Sequence, residues 1–149
     1  MTYDLTGLDE LLAQENPWEP VLQWALERSG MQSGTIHLAT GELLELRAQV
    51  GLPDVVLAKV QQIPFGKGMA GLAASRREPV SVCNLQTDDS GDVRPGAKAT
   101  GLSGSIAVPM LAGDGSVRGV LGVAQATEHD FTEAEIDALL EVARRMAEA

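Results

Sequence analysis

The stretch Pro64-Phe65-Gly66-Lys67-Gly68-Met69-Ala70-Gly71 decides how this chain is read. Its glycines fall as G-x-G-x-x-G, the spacing of the dinucleotide-binding turn, in which a strand feeds a helix whose N-terminus cradles a pyrophosphate. That motif needs a strand directly before the first glycine and βαβ alternation after it. Asp54 to Ile63 instead reads as helical, with Val56, Leu57 and Val60 on one side. No acidic residue follows at the ribose-binding distance, since Asp88 and Asp89 lie in a loop beyond the next strand. The phosphate loop of nucleotide triphosphatases fails as well, because its lysine must be followed by Ser or Thr after a longer spacer. The glycines therefore read as a sharp turn into a short helix, Met69 to Arg76. Its first N–H groups, at Met69, Ala70 and Gly71, serve packing in the simpler reading and anion capture in the sharper one.

Before this turn, Leu8, Leu11 and Leu12 form a short apolar stripe, and a second helix starts near Asn16-Pro17 and stops at Gly30. Thr35–Ala39 and Leu44–Val50 alternate as a hairpin turning at Thr40-Gly41. After it, Pro79–Cys83 reads as a third strand, and 84–104 has no periodicity, as a lid or binding loop would. Ser105–Met110 and Val117–Ala124 form a second hairpin around Gly113-Asp114-Gly115. The last helix opens with a capping box, Thr132-x-x-Glu135, and a hydrophobic staple, Phe131 with Ile136. This order predicts an α+β fold around an antiparallel sheet, not alternating βαβ.

The chain has 149 residues, enough for one domain with a real core, and no apolar run near the roughly 20 residues that cross a bilayer. A net charge of −10 argues against nucleic acid and anionic membranes, and 3% aromatics leave little for base stacking. With an acidic N-terminus lacking a signal core, the expected location is cytoplasmic. The single cysteine, Cys83, excludes an internal disulfide and a cysteine-based zinc site.

Phe65-Gly66-x-Gly68-Met69-Ala70-Gly71-Leu72-x-Ala74 followed by Glu78-Pro79-Val80-x-Val82 resembles the central signature of GAF domains. Ser105-x-x-x-Val108-Pro109-Met110, Gly119–Val123 and Phe131-Thr132-x-x-Glu135 resemble its remaining hallmarks in the right order, over roughly 8–147. The resemblance implies one domain over 1–149 with a PAS-like antiparallel sheet. Terminal helices would cover one face and often dimerise. Short helices and the 84–104 loop would enclose a pocket on the other.

It also implies a stand-alone sensor that binds an unidentified small molecule and signals through its terminal helices to a kinase or regulator. No cofactor is specified. The pocket candidates are His37, Phe65, Met69, Ala70, Leu72, Leu102, Ser103, Ser105 and Ala107, with Arg94 and Lys98 as cations for an anionic ligand. Subtype residues are mostly missing. Val123-Ala124-Gln125 stands where cyclic-nucleotide-binding relatives carry Asn-Lys, and Phe131 and Glu135 have their own roles as staple and capping box. Cys83 reads as an inert buried strand residue rather than a bilin anchor. Sulfoxide reductases of this family need several cysteines near the Gly-rich helix and in the long loop, where this chain has none. Haem ligation would fall to His37 or His129, the first better read as a satisfied strand residue and the second as solvated. Gly101–Ser105 lacks the last glycine of a nucleophile elbow, and Asp88–Asp92 lacks the glutamate that closes a calcium loop. The alternative function is a ligand-free interaction module that dimerises through Trp24 and Val142.

Overall fold

The structure, a computed structural model, describes residues 3, 5–88, 90–93 and 100–149. The elements run α1 (Leu8–Leu12), α2 (Trp18–Ser29), β1 (Ser33–Thr40), β2 (Leu43–Val50), α3 (Asp54–Leu57), β3 (Gln62–Pro64), α4 (Gly68–Arg76), β4 (Val80–Val82), β5 (Gly104–Leu111), β6 (Val117–Gln125) and α5 (Glu133–Ala147). Six strands form one sheet in the order β3-β2-β1-β6-β5-β4, and every neighbouring pair is antiparallel. The predicted α+β sheet architecture is therefore the observed one.

The segment before the glycines differs from expectation. Asp54 to Ile63 is not one helix: α3 is a single turn, and Gln62–Pro64 adds to the sheet edge with Ile63 opposite Leu44. Ile63 and Leu44 are both buried, which outweighs helical spacing over so short a segment. Pro64 is tolerated because an edge strand does not need every N–H. A strand does precede the glycines, but it pairs antiparallel, so the dinucleotide reading fails on topology instead. Gly66 (φ 87°) and Gly68 (φ 66°) take left-handed backbone, and a Cβ on Gly71 would stand 2.5 Å from the Pro64 carbonyl oxygen. Gly66 N–H donates to the Gly71 carbonyl at 2.8 Å, locking the turn onto the helix.

Each face of the sheet carries its own core. On one, Leu22 and Leu26 of α2 and Leu139, Val142 and Met146 of α5 pack on Ile36, Ile106, Val108, Met110 and Leu121. On the other, Ala73 and Ala74 of α4 pack with Leu44, Ile63, Val80, Ala107 and Val120. Trp24 (7% exposed) and Val142 (1%) lie inside the first core, so neither is the free interface residue the sequence suggested. Asn16 does not cap α2, whose N-cap position is Pro17 with no side-chain bond. Gly30 ends that helix in left-handed backbone as expected.

The capping box of α5 is present in full, with Glu135 N–H donating to Thr132 Oγ1 and Thr132 N–H to Glu135 Oε1. His129 is not simply solvated: half-buried, it places Nε2 2.8 Å from Glu135 Oε2 and sets its ring edge-on to Phe131. Burial pushes the Glu135 carboxyl up, but hydrogen bonds from Thr132 and His129 outweigh it and hold the group below its ordinary value. Cys83 follows β4 and is exposed, contrary to its reading as a buried strand thiol. Among the described residues no helix is long and apolar enough to cross a membrane.

Candidate functional site

Between the second face of the sheet and α4 lies a cavity of about 510 Å³, within the range that holds small ligands. Strand register explains why it is open. Thr35 pairs with Gly122, and Gly122 with Ala107, so the middle row of the floor carries one hydroxyl, one hydrogen and one methyl. Ser105 pairs with Ala124 in the next row. Larger residues in these rows would fill the space, as Val120 does in the row of His37. Val56, Met69, Leu85 and Leu102 form the apolar walls.

The polar groups are few. Ser33 Oγ is committed to the Val50 carbonyl at 2.7 Å. The hydroxyls of Thr35 and Ser105 line the cavity without a hydrogen bond among the described residues. His37, 1% exposed, places Nε2 2.8 Å from the Val60 carbonyl oxygen. A carbonyl only accepts, so Nε2 carries the proton and Nδ1 offers its lone pair. Nδ1 is buried and has no partner among the described residues, an arrangement that costs about 1–3 kcal/mol. Lys59 and Lys67 stand on the cavity wall, as does the first turn of α4, formed by Gly68, Met69 and Ala70.

Six of the residues expected from sequence meet in this cavity: His37, Met69, Ala70, Leu102, Ser105 and Ala107. Three do not line it. Phe65 and Leu72 pack into the second core, and buried Ser103 uses its backbone, donating to Gln125 and accepting from Leu85, to close the base of the 84–104 loop. Arg94 and Lys98 lie outside the described residues. Thr35 was legible by alternation from His37. Lys59 and Val56 were hidden by reading their segment as one helix, and Gly122 by its pairing across strands. The anion argument at the start of α4 also changes. Gly71 N–H is not free, since it donates to the Lys67 carbonyl at 3.2 Å. Asp88 Oδ2 is held by Ser90, whose Oγ donates to it at 2.7 Å.

The buried imidazole makes stability depend on pH. Burial pulls the His37 pKa below its ordinary 6.5, and the hydrogen bond to Val60 offsets only part of this. The unfolded chain therefore takes up a proton near pH 6.5 that the folded chain refuses. This contribution is whole above that pH and is lost as pH falls through it toward the lower folded value. Thermal melts at pH 7.5 down to about 5.5 should show the wild type losing stability faster than His37→Gln, which keeps a donor but no titration. Equal slopes would mean that His37 is accessible to protons in the folded state.

Comparisons place this geometry. The GAF domain of a phosphoenolpyruvate-protein phosphotransferase from Coxiella burnetii aligns with TM-score 0.76 and 22% identity, covering 95% of this chain and 86% of that one. Free methionine-R-sulfoxide reductase from Neisseria meningitidis, in complex with its substrate, gives TM-score 0.76 and 22% identity, covering 95% and 82%. The GAF domain of A. aeolicus nlh2 in an inactive state gives 0.74 and 17%, covering 97% and 91%. At these identities the likeness shows the fold alone. No curated protein matches the sequence. The family model for the GAF domain matches residues 19–149, nearly the whole chain, and with the antiparallel sheet and cavity already described this chain belongs to the GAF domain family.

Proposed function

We propose that this protein is a sensory domain that binds a small molecule in the cavity between sheet and α4 and signals through its terminal helices. The supporting observation is the cavity itself, about 510 Å³ with apolar walls and a few polar groups on the floor. Strands β1 and β5 give the reading a mechanism. Thr35 and His37 face the cavity while Ile36 packs under α2 and α5, and Ser105 and Ala107 alternate likewise with Ile106 and Val108. A ligand that presses on the floor shifts the same strands that seat the terminal helices, so occupancy biases how α2 and α5 sit. A kinase or regulator reading those helices would receive the signal.

Binding is favoured over turnover. A dithiol cycle cannot run on the one cysteine of this chain, and Cys83 does not line the cavity. Reduction of free methionine sulfoxide by the purified protein with a thiol reductant would overturn that preference. The interaction-module reading loses the two residues that carried it, since Trp24 and Val142 are core.

The test is a thermal-shift panel of cyclic nucleotides, methionine and its sulfoxide, nitrate, amino acids, 2-oxo acids and haem. A ligand at a hundred times its Kd stabilises the folded state by about 2.7 kcal/mol. That is expected to raise the melting temperature by roughly 5–10 °C. A shift lost in a cavity-filling variant, Ala70→Phe, supports the sensor; a panel without any shift counts against it.

A further inference from the structure

Building on that small-molecule reading, we propose that the cavity selects anions: its ligand carries an oxoanion group seated at the mouth between Lys59 and Lys67, before the first turn of α4, with its apolar part inside. Three independent features converge on this. The chain has 21 acidic and 11 basic residues, yet no Asp or Glu occurs among the described lining residues, while two of its three lysines do. Those two lysines make no ion pair among the described residues, which they share with Arg77 and Arg118, whereas Arg28, Arg47, Arg76, Arg144 and Arg145 are paired. Glu45 shares a groove with Lys59 but is already paired to Arg47 at 3.3 Å.

The second feature is α4. Gly68, Met69 and Ala70 belong to the first helical turn and line the cavity, and their N–H groups have no carbonyl within the nine-residue helix and no side-chain cap. Oriented N–H dipoles and two lysines thus border one largely apolar space, where field lines from a low-dielectric wall reinforce them. The third is His37. It lines the same cavity, is almost wholly buried and leaves Nδ1 unpartnered, an acceptor suited to an N–H or O–H donor. A small amino, hydroxy or similar acid meets both demands; a cation can donate to Nδ1 but is repelled by the two lysines.

A matched pair of fluorescent probes separates this inference from the reading beneath it. 8-Anilinonaphthalene-1-sulfonate and N-phenyl-1-naphthylamine differ only in the sulfonate. Both are titrated into the intact chain at low and high salt, with Ala70→Phe defining the binding that does not use the cavity. The sulfonate is expected to bind roughly tenfold more tightly at low salt, and less so at high salt. Lys59→Gln with Lys67→Gln should remove that preference and leave the neutral probe unchanged. Both side chains belong to exposed residues, so the melting temperature of the double variant should match the wild type. Equal binding of the two probes, unaffected by the lysines, overturns anion selection and leaves the small-molecule reading intact. Failure of both probes to enter the cavity overturns both.

Discussion

Trp24→Ala is expected to cost about 3–5 kcal/mol and to lower the melting temperature by roughly 10 °C, with no change in oligomeric state. Trp24 lies on α2 inside the core that α2 and α5 share over the sheet, and only 7% of it is exposed. Truncation removes a large apolar surface and leaves a void that the close-packed residues of that core cannot fill without leaving their own contacts. Arg28 lies over the indole, 4.8 Å from the ring centroid, and loses a cation–π contact as well. Indole Nε1 has no hydrogen-bond partner among the described residues, so the truncation recovers part of that penalty, which favours the lower end of the range. Thermal unfolding and analytical ultracentrifugation on the same sample decide it. A stable variant that changes its association state would restore Trp24 as an interface residue.

The second large effect is at Gly119. A Cβ there would run into the backbone carbonyl oxygen of His37 and stand 3.1 Å from Met110 Sδ. A methionine can rotate away; a strand carbonyl held in the sheet cannot. Gly119→Ala should therefore cost about 3 kcal/mol, because β6 must move away from β1. Gly113→Ala provides the control, since a Cβ there meets nothing within 4 Å. Urea denaturation should place Gly113→Ala within about 0.5 kcal/mol of wild type. Since the clash falls on the backbone of a residue that lines the cavity, Gly119→Ala should also weaken binding of whichever probe enters. Equal midpoints for the two alanine variants would mean that β1 and β6 are not held at the spacing described.

How far these features were legible varies with the range of the interaction behind them. The hairpins, the stop at Gly30 and the capping box of α5 depend on residues near one another in the chain, and alternation or capping chemistry reveals them. Alternation along its strand assigns His37 a face, whereas Ser105 and Ala107 came from the segment that the family resemblance places at the pocket. β3 was missed because three residues carry too little periodicity, and its existence depends on Leu44 across the sheet. Lys59 lies between α3 and β3, where no helical or strand period assigns it a face. Cys83 was placed by extending the alternation of β4 one residue past the end of its pairing with β5.

By itself the sequence determined the element types outside Asp54–Pro64, the antiparallel class and the meaning of Gly66-Lys67-Gly68-Met69-Ala70-Gly71 as a turn into a helix. These follow from local backbone preference and from side-chain period, which neighbouring residues set. Only the tertiary structure decided what the turn encloses. The cavity depends on Thr35, Gly122 and Ala107 falling in one row of three strands distant in the chain, and on α4 closing over them. Register between strands is set by burial of whole faces and not by any single segment. For the same reason Trp24 changed from interface candidate to core: the amphipathic pattern of one helix does not say which partner covers it, and α5 and the sheet do.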